Sequence, residues 1–215
     1  MIEQSFQDLK SFCEKENFKG WDPYDGLNSC IIQKTPLRKS RVFKLAWIQL
    51  FKRNPINFRQ LLGIKKDYNP KGLGLFLIGY CNLYVTENKE EYLDKIQFLS
   101  NKILQLQTKG YSGACWGYNF DWQARAFFQP KYTPTVVATS FISEALLMAY
   151  DITKQERLLQ TALSSCDFIL KDLNKSFDNE GDYTLSYSPL DSTQVFNAGL
   201  LGAKLLCLVY QYNKD

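Results

Sequence analysis

Apolar side chains along this 215-residue chain recur three or four positions apart, as in Ile96, Leu99, Ile103 and Leu106, or Leu146, Leu147 and Tyr150. That spacing puts them on one face of a helix. No stretch alternates strictly between apolar and polar residues as a half-buried strand would. The pattern predicts helices over residues 3–16, 38–53, 56–63, 70–86, 89–107, 138–150, 155–173 and 198–210, with Pro55 separating the second from the third. From residue 70 onward two kinds alternate. One is apolar on nearly all sides and is expected inside; the other keeps a polar face and is expected outside.

The same plan repeats along the chain. YVTENKEEYLDKIQFLSNKIL (84–104) overlays YDITKQERLLQTALSSCDFIL (150–170) without a gap at a spacing of 66, pairing Tyr84 with Tyr150, Leu93 with Leu159, Ile103 with Ile169 and Leu104 with Leu170. A third copy opens with AGLLGAKLLCLVY (198–210). Each unit reads as an apolar helix that starts with small residues, a short turn, an amphipathic helix and a long loop. Gly72, Gly74, Ala138, Ser140, Ala198 and Gly199 would let the inner helices approach closely. Because short and long connections alternate, the long loops KGWDPYDGLNS, KGYSGACWGYNFDWQAR and EGDYTLSYSPLDSTQVFN are expected to converge at one end of the array. Helix pairs of this kind stack in a line or close into a ring.

Composition narrows the chemistry. A hydrophobic share of 45% with 22% charged residues fits one domain with a full core. The chain has no histidine, which excludes Ser–His and Cys–His nucleophile pairs, histidine bases and mixed histidine zinc sites. Catalysis would fall to carboxylates, Tyr, Lys or Arg. Six scattered cysteines form no C-x-x-C pair and read as buried free thiols, with no metal site and no cofactor expected. The N-terminal residues lack the apolar core of a secretory signal, and the apolar run 73–85 is too short to span a bilayer, so the expected location is the cytoplasm. Charge is uneven. Residues 28–66 contain ten Lys and Arg and no Asp or Glu, which favours an anionic partner; the other reading is a solvated basic surface. Phe43, Trp47, Phe51 and Phe58 lie within that stretch, and a core-facing helix with a basic outer face is the reading preferred to nucleic-acid binding, with peripheral membrane contact through 34–66 as a lesser one.

The outer helix, Gly–aromatic loop and inner helix units, above all GYSGACWGYNFDWQ followed by TPTVVATSF, resemble the six-hairpin (α/α) toroid superfamily. That superfamily includes glycoside hydrolases, polysaccharide lyases and sugar epimerases, and related toroids include terpene cyclases. GWDPYDGLNS and RNPINFRQLLGIKKDYNPKGLGLF are similar to stretches of proteins associated with surface-polysaccharide loci. The resemblance implies an all-α, incomplete (α/α) toroid over residues 1–215, with about eight helices of an expected twelve, so a missing C-terminal part or a partner chain would complete the ring. It also implies a carbohydrate ligand. Terpene-cyclase chemistry is disfavoured because the chain has no D-x-D-D or D-D-x-x-D string.

Pyranose faces stack on aromatic rings, and carboxylates take the hydroxyls, so loop residues are the candidates. Trp21, Asp22, Tyr24, Lys71, Trp116, Tyr118, Trp122, Arg125, Tyr183 and Tyr187 are expected to bind substrate, and Asp25, Asp121 and Asp191 to supply catalytic carboxylates. Each has a structural counterpart. The rings would pack loops onto helix ends, Asp22 would hold the turn in D-P-Y-D-G, and the three recurrent aspartates would cap helices equally well. Arg125 would bind an acidic group or pair with Asp121 on one helical turn. The expected function is binding, with glycosidase-, lyase- or epimerase-like processing, of an anionic carbohydrate. The alternative is a non-catalytic scaffold or glycan-binding subunit of a polysaccharide assembly system.

Overall fold

A computed structural model describes residues 2–214. Among them are eight α-helices: α1 (Ile2–Lys15), α2 (Cys30–Gln33), α3 (Arg41–Arg53), α4 (Pro70–Glu87), α5 (Glu90–Gln105), α6 (Val136–Thr153), α7 (Glu156–Asp167) and α8 (Phe196–Asn213). The chain gathers into two compact units. One is formed by residues up to Asn69 together with Asn119–Lys131, the other by Pro70–Tyr118 together with Tyr132 onward.

The second unit is a stack of helical hairpins. α4 packs on α5 and α6, and α6 packs on α7 and α8. Tyr92, Ile96, Leu99 and Ile103 form the buried stripe of α5, while α6 buries residues all round, from Val136 to Ala149. α6 is, among the described residues, the helix long and apolar enough to cross a membrane by length and composition; more than half of it is buried in this core. The repeat holds to the residue: α4 and α6 begin at 70 and 136, α5 and α7 at 90 and 156, each pair 66 apart. The inner helices also end alike. Asn88, Lys154 and Lys214 take left-handed φ of 53° or thereabouts (52°, 53° and 61°), and each donates its N–H to the carbonyl of a tyrosine four residues back, Tyr84, Tyr150 or Tyr210. Of the small residues expected at close helix approaches, Gly74 acts so: a Cβ there would stand 3.1 Å from Ile142 of α6. A Cβ on Gly199 would instead meet Thr184 at 2.9 Å, and Gly202, which the pattern did not single out, makes the approach of α8 to α6, with 3.0 Å between such a Cβ and Val136. α7 continues into a π-helical turn, Phe168–Asp172.

Two short hairpins that the helical periodicity did not predict stand in the long loops. β1 (Trp122–Gln123) pairs antiparallel with β2 (Phe128–Gln129), and β3 (Lys175–Phe177) with β4 (Tyr183–Leu185). With two or three residues a strand they are too short to show alternation.

The first unit joins the helices α1, α2 and α3 by long irregular segments. The helix expected over 56–63 does not form. Asn54 and Asn57 instead accept from the backbone N–H of Ile56 and Arg59, and the segment closes as a turn at Gly63. Gly63 has φ +68°, and a Cβ there would lie 2.4 Å from Cys30 Sγ, so the turn requires glycine. α1 is amphipathic as predicted but buries none of its residues; Ile2, Leu9 and Phe12 stay exposed. The cysteines also differ from expectation. Cys81 and Cys115 are buried, which pushes each thiol up to about 12, but Cys30 and Cys207 are exposed.

Candidate functional site

Loop one begins with Trp21, whose indole N–H donates to the Ile64 carbonyl (3.0 Å) while Lys66 Nζ lies 4.9 Å from its ring centroid. Asp22 Oδ1 accepts from Tyr24 N and Oδ2 from Asn69 Nδ2, as a turn-holding aspartate does. Asp25 is 4% exposed. Its Oδ1 meets Arg59 Nε at 2.8 Å, its Oδ2 accepts from Asp22 N, and Arg59 Nη2 donates to the Asp22 carbonyl. Burial raises the Asp25 carboxyl above the usual carboxylate range, and the Arg59 guanidinium opposes that rise.

Loop two is shared between the two units. Its part in the first unit, Asn119–Lys131, meets loop one directly: Asn28 Nδ2 donates to the Asn119 carbonyl, and the rings of Tyr24 and Trp122 stand edge to face at 6.1 Å. Trp122 also meets Phe127 edge to face at 5.6 Å. Tyr24 and Trp122 wall a cleft of about 550 Å3 whose floor is one face of α3, Val42, Leu45, Ala46, Gln49 and Arg53, with Gln123, Ala124 and Arg125 at its rim. Lys52 Nζ donates to the Tyr24 hydroxyl and steadies that ring. The cleft is mainly apolar, and no carboxylate among the described residues lines it.

A smaller cavity of about 270 Å3 lies in the same unit, lined by Leu27, Ile32, Gln33, Arg38, Lys39, Lys44, Asp121 and Phe128. Asp121 Oδ1 accepts from Lys131 N (2.8 Å) and Oδ2 from Gln33 Nε2 (3.3 Å). Lys44 Nζ lies 3.6 Å from the centroid of Phe128. Its pKa is lowered by burial, and the Asp121 charge pulls the other way. The expected helical turn joining Asp121 to Arg125 is absent, because residues 122–129 form the β1–β2 hairpin. The Arg125 carbonyl accepts from Arg41 Nη2, and Arg125 lines the larger cleft.

The remaining candidates lie in the helical unit. Trp116 is fully buried and donates its indole N–H to the Ile103 carbonyl, so its ring faces the core. Tyr118 and Tyr187 share a hydroxyl–hydroxyl hydrogen bond of 3.2 Å, and burial pushes the Tyr187 phenol well above its usual range. Asp191 accepts from Ser188 N, Ser188 Oγ and Thr193 N and closes the 187–193 turn. Tyr183 lies on β4, half exposed, tilted against Phe177 at 5.5 Å, with Lys175 Nζ 4.9 Å from its ring. Lys71, near the start of α4, places Nζ 4.9 Å from the Phe141 ring.

None of Asp25, Asp121 and Asp191 caps an α-helix through its side chain. Ser29, Ser40 and Thr135 do that for α2, α3 and α6. Each aspartate instead accepts a nearby backbone N–H, from Asp22, Lys131 or Ser188, and Asp25 and Asp121 accept a further bond from Arg59 and Gln33. Sequence reasoning did not single out Arg59, Gln49 or Arg53. The α3 face carrying Val42, Leu45, Ala46, Gln49 and Arg53 has helical spacing, but nothing in that spacing says it borders a cleft. Among the described residues no three His, Cys, Asp or Glu side chains are gathered as metal ligands.

No protein-family model matches the chain, and no curated protein matches it in sequence. Two solved structures are similar to it in fold. One is a family 76 glycoside hydrolase from a bovine Bacteroides thetaiotaomicron strain, at 14% identity and a TM-score of 0.50, covering 70% of this chain and 32% of that one. The other is a family 76 glycoside hydrolase (mannosidase) from Bacteroides thetaiotaomicron VPI-5482, at 13% identity and a TM-score of 0.50, covering 82% of this chain and 50% of that one. The chain therefore spans half or less of the length of these structures, and the likeness shows an all-α, (α/α) toroid-like fold of helical hairpins.

Proposed function

We propose that the chain is a carbohydrate-binding protein that holds a glycan in the cleft walled by Tyr24 and Trp122. The observation that carries this reading is the make-up of the cleft, in which two rings standing edge to face and an apolar helix face border Gln49, Arg53, Gln123 and Arg125. Rings cover the apolar face of a sugar, the exposed Gln49 amide suits a hydroxyl, and the two guanidinium groups suit an acidic substituent, while the Gln123 amide is held by the Ala124 and Phe127 carbonyls. The fold likeness to glycoside hydrolases, one of them a mannosidase, supports a sugar ligand and makes mannose-containing oligosaccharides the first to test.

Binding is better supported than hydrolysis. A glycosidase needs two carboxyl groups facing across the bond, roughly 5 to 9.5 Å apart. Among the described residues no carboxylate lines this cleft, and Asp25 is held by Arg59. Turnover remains the second reading because of the fold likeness. Release of reducing ends from mannose-containing oligosaccharides by the purified protein tests it.

Thermal-shift titration with mannose-containing, other neutral and uronic-acid oligosaccharides tests the proposal. A ligand at a hundred times its Kd stabilises the fold by about 2.7 kcal/mol. Trp122→Ala should remove the shift while the protein still melts cooperatively. A shift that survives both Trp122→Ala and Tyr24→Ala would place the glycan elsewhere.

A further inference from the structure

The smaller cavity in the first unit combines features that a glycan cleft does not need. Arg38, Lys39 and Lys44 line about 270 Å3 together with a single carboxylate, Asp121. No salt bridge among the described residues takes in any of the three cations. Asp121 already accepts from Lys131 N and Gln33 Nε2, which hold it at the wall and do not cancel the positive charge around it. The cavity thus carries about two uncompensated positive charges in a space the size of a small headgroup. Lys44 is partly withdrawn from water against Phe128, where a nearby anion would strengthen its charged form. Arg38 offers a planar fork of donors, and the lysines offer mobile point charges.

We propose that this cavity binds a phosphomonoester, with Arg38, Lys39 and Lys44 on the phosphate oxygens and the free acceptor capacity of Asp121 taking a hydroxyl of the group that bears it. Charge selects this class. A phosphomonoester carries nearly two negative charges at pH 7 and matches the surplus, whereas a uronate carries one and leaves half of it unmet. The inference does not rest on the glycan reading, because it uses a different cavity.

The test is calorimetric titration of the intact protein at 0.15 M salt, where exposed charges more than about 8 Å apart are largely screened. The probes are inorganic phosphate, glucose 1-phosphate and glucuronate, with sedimentation on phosphatidylcholine vesicles with or without phosphatidate as a separate arm. Glucose 1-phosphate should bind at least about tenfold more tightly than glucuronate, and either Arg38→Ala/Lys39→Ala or Lys44→Met should weaken it at least about tenfold. Arg38 and Lys39 are exposed, so their double variant keeps the fold. Phosphatidate-dependent sedimentation lost in that variant, without binding of the soluble ester, places the phosphate on a lipid; the reverse places it on a soluble sugar. Equal binding of glucuronate, unchanged binding in the double variant, or no phosphate-dependent binding in either arm overturns the proposal. Trp122→Ala should leave phosphate binding intact, and Arg38→Ala/Lys39→Ala should leave oligosaccharide binding intact, so the two proposals fail separately.

Discussion

In the helical unit apolar side chains meet one another. Tyr92, Ile96, Leu99 and Ile103 of α5 and the buried run of α6 fill the space between helices, and Trp116, a loop residue, joins them. In the other unit polar side chains carry more of the structure. Arg59 ties Asp25 and the Asp22 carbonyl, Trp21 is held by the Ile64 carbonyl, and Gln33 spans from the Leu27 carbonyl to Asp121. Both clefts described above belong to this second kind of region. Periodic apolar faces pack until no space is left. Loops held by directional hydrogen bonds keep their shape without filling their surroundings, and so leave concave, partly polar surfaces.

The largest effect is expected from changing a loop ring that serves the helical core. Trp116→Ala should lose about 3–5 kcal/mol, read as a lower urea midpoint, because a fully buried ring leaves a cavity. Oligosaccharide binding by the fraction still folded should be unchanged; a selective loss of binding at full stability would return Trp116 to the site.

Next comes the polar counterpart. Arg59→Met should cost roughly 3 kcal/mol at pH 7 by leaving the Asp25 charge buried without its partner. Removing the guanidinium removes the influence that opposes burial, so the folded-state pKa of Asp25 rises further above its unfolded value. The native state then binds more protons than the unfolded state, and the deficit should shrink as pH falls from 7 toward the ordinary carboxylate range. Urea unfolding at pH 7 and pH 5 checks this. A deficit that grows on acidification would mean that Asp25 does not carry it.

The smallest effect tests the repeat. Lys154→Gly should raise stability by about 0.5–1 kcal/mol, because glycine takes the left-handed φ after α6 without a Cβ penalty. A loss of stability in thermal melts would show that the Lys154 side chain, 5.4 Å from the Tyr150 ring, outweighs the backbone gain.

Legibility followed the same division. The helices of the second unit were readable from residues such as Ile96, Ile103 and Leu146, and the spacing of 66 reappears in where α4 to α7 begin. The helix expected over 56–63 shows the limit. Phe58 and Leu61 stand three apart, as on one helical face, yet both stay exposed while Asn54 and Asn57 turn the backbone. The Tyr24–Trp122 wall was half legible. Both rings were candidates, but their meeting joins loops almost a hundred residues apart.

The chain's own order of residues determined the helical class, the repeat and the loops that carry rings and aspartates, because helical periodicity and turn chemistry act over a few neighbouring residues. Tertiary structure decided what each aspartate does. Asp25 finds Arg59 34 residues away and is buried as an ion pair, Asp121 finds Gln33 at a separation of 88 and lines a basic cavity, and the Asp191 carboxylate accepts from its own turn. The partner and the burial of a carboxylate set its chemistry, and here both come from parts of the chain that local spacing cannot bring together.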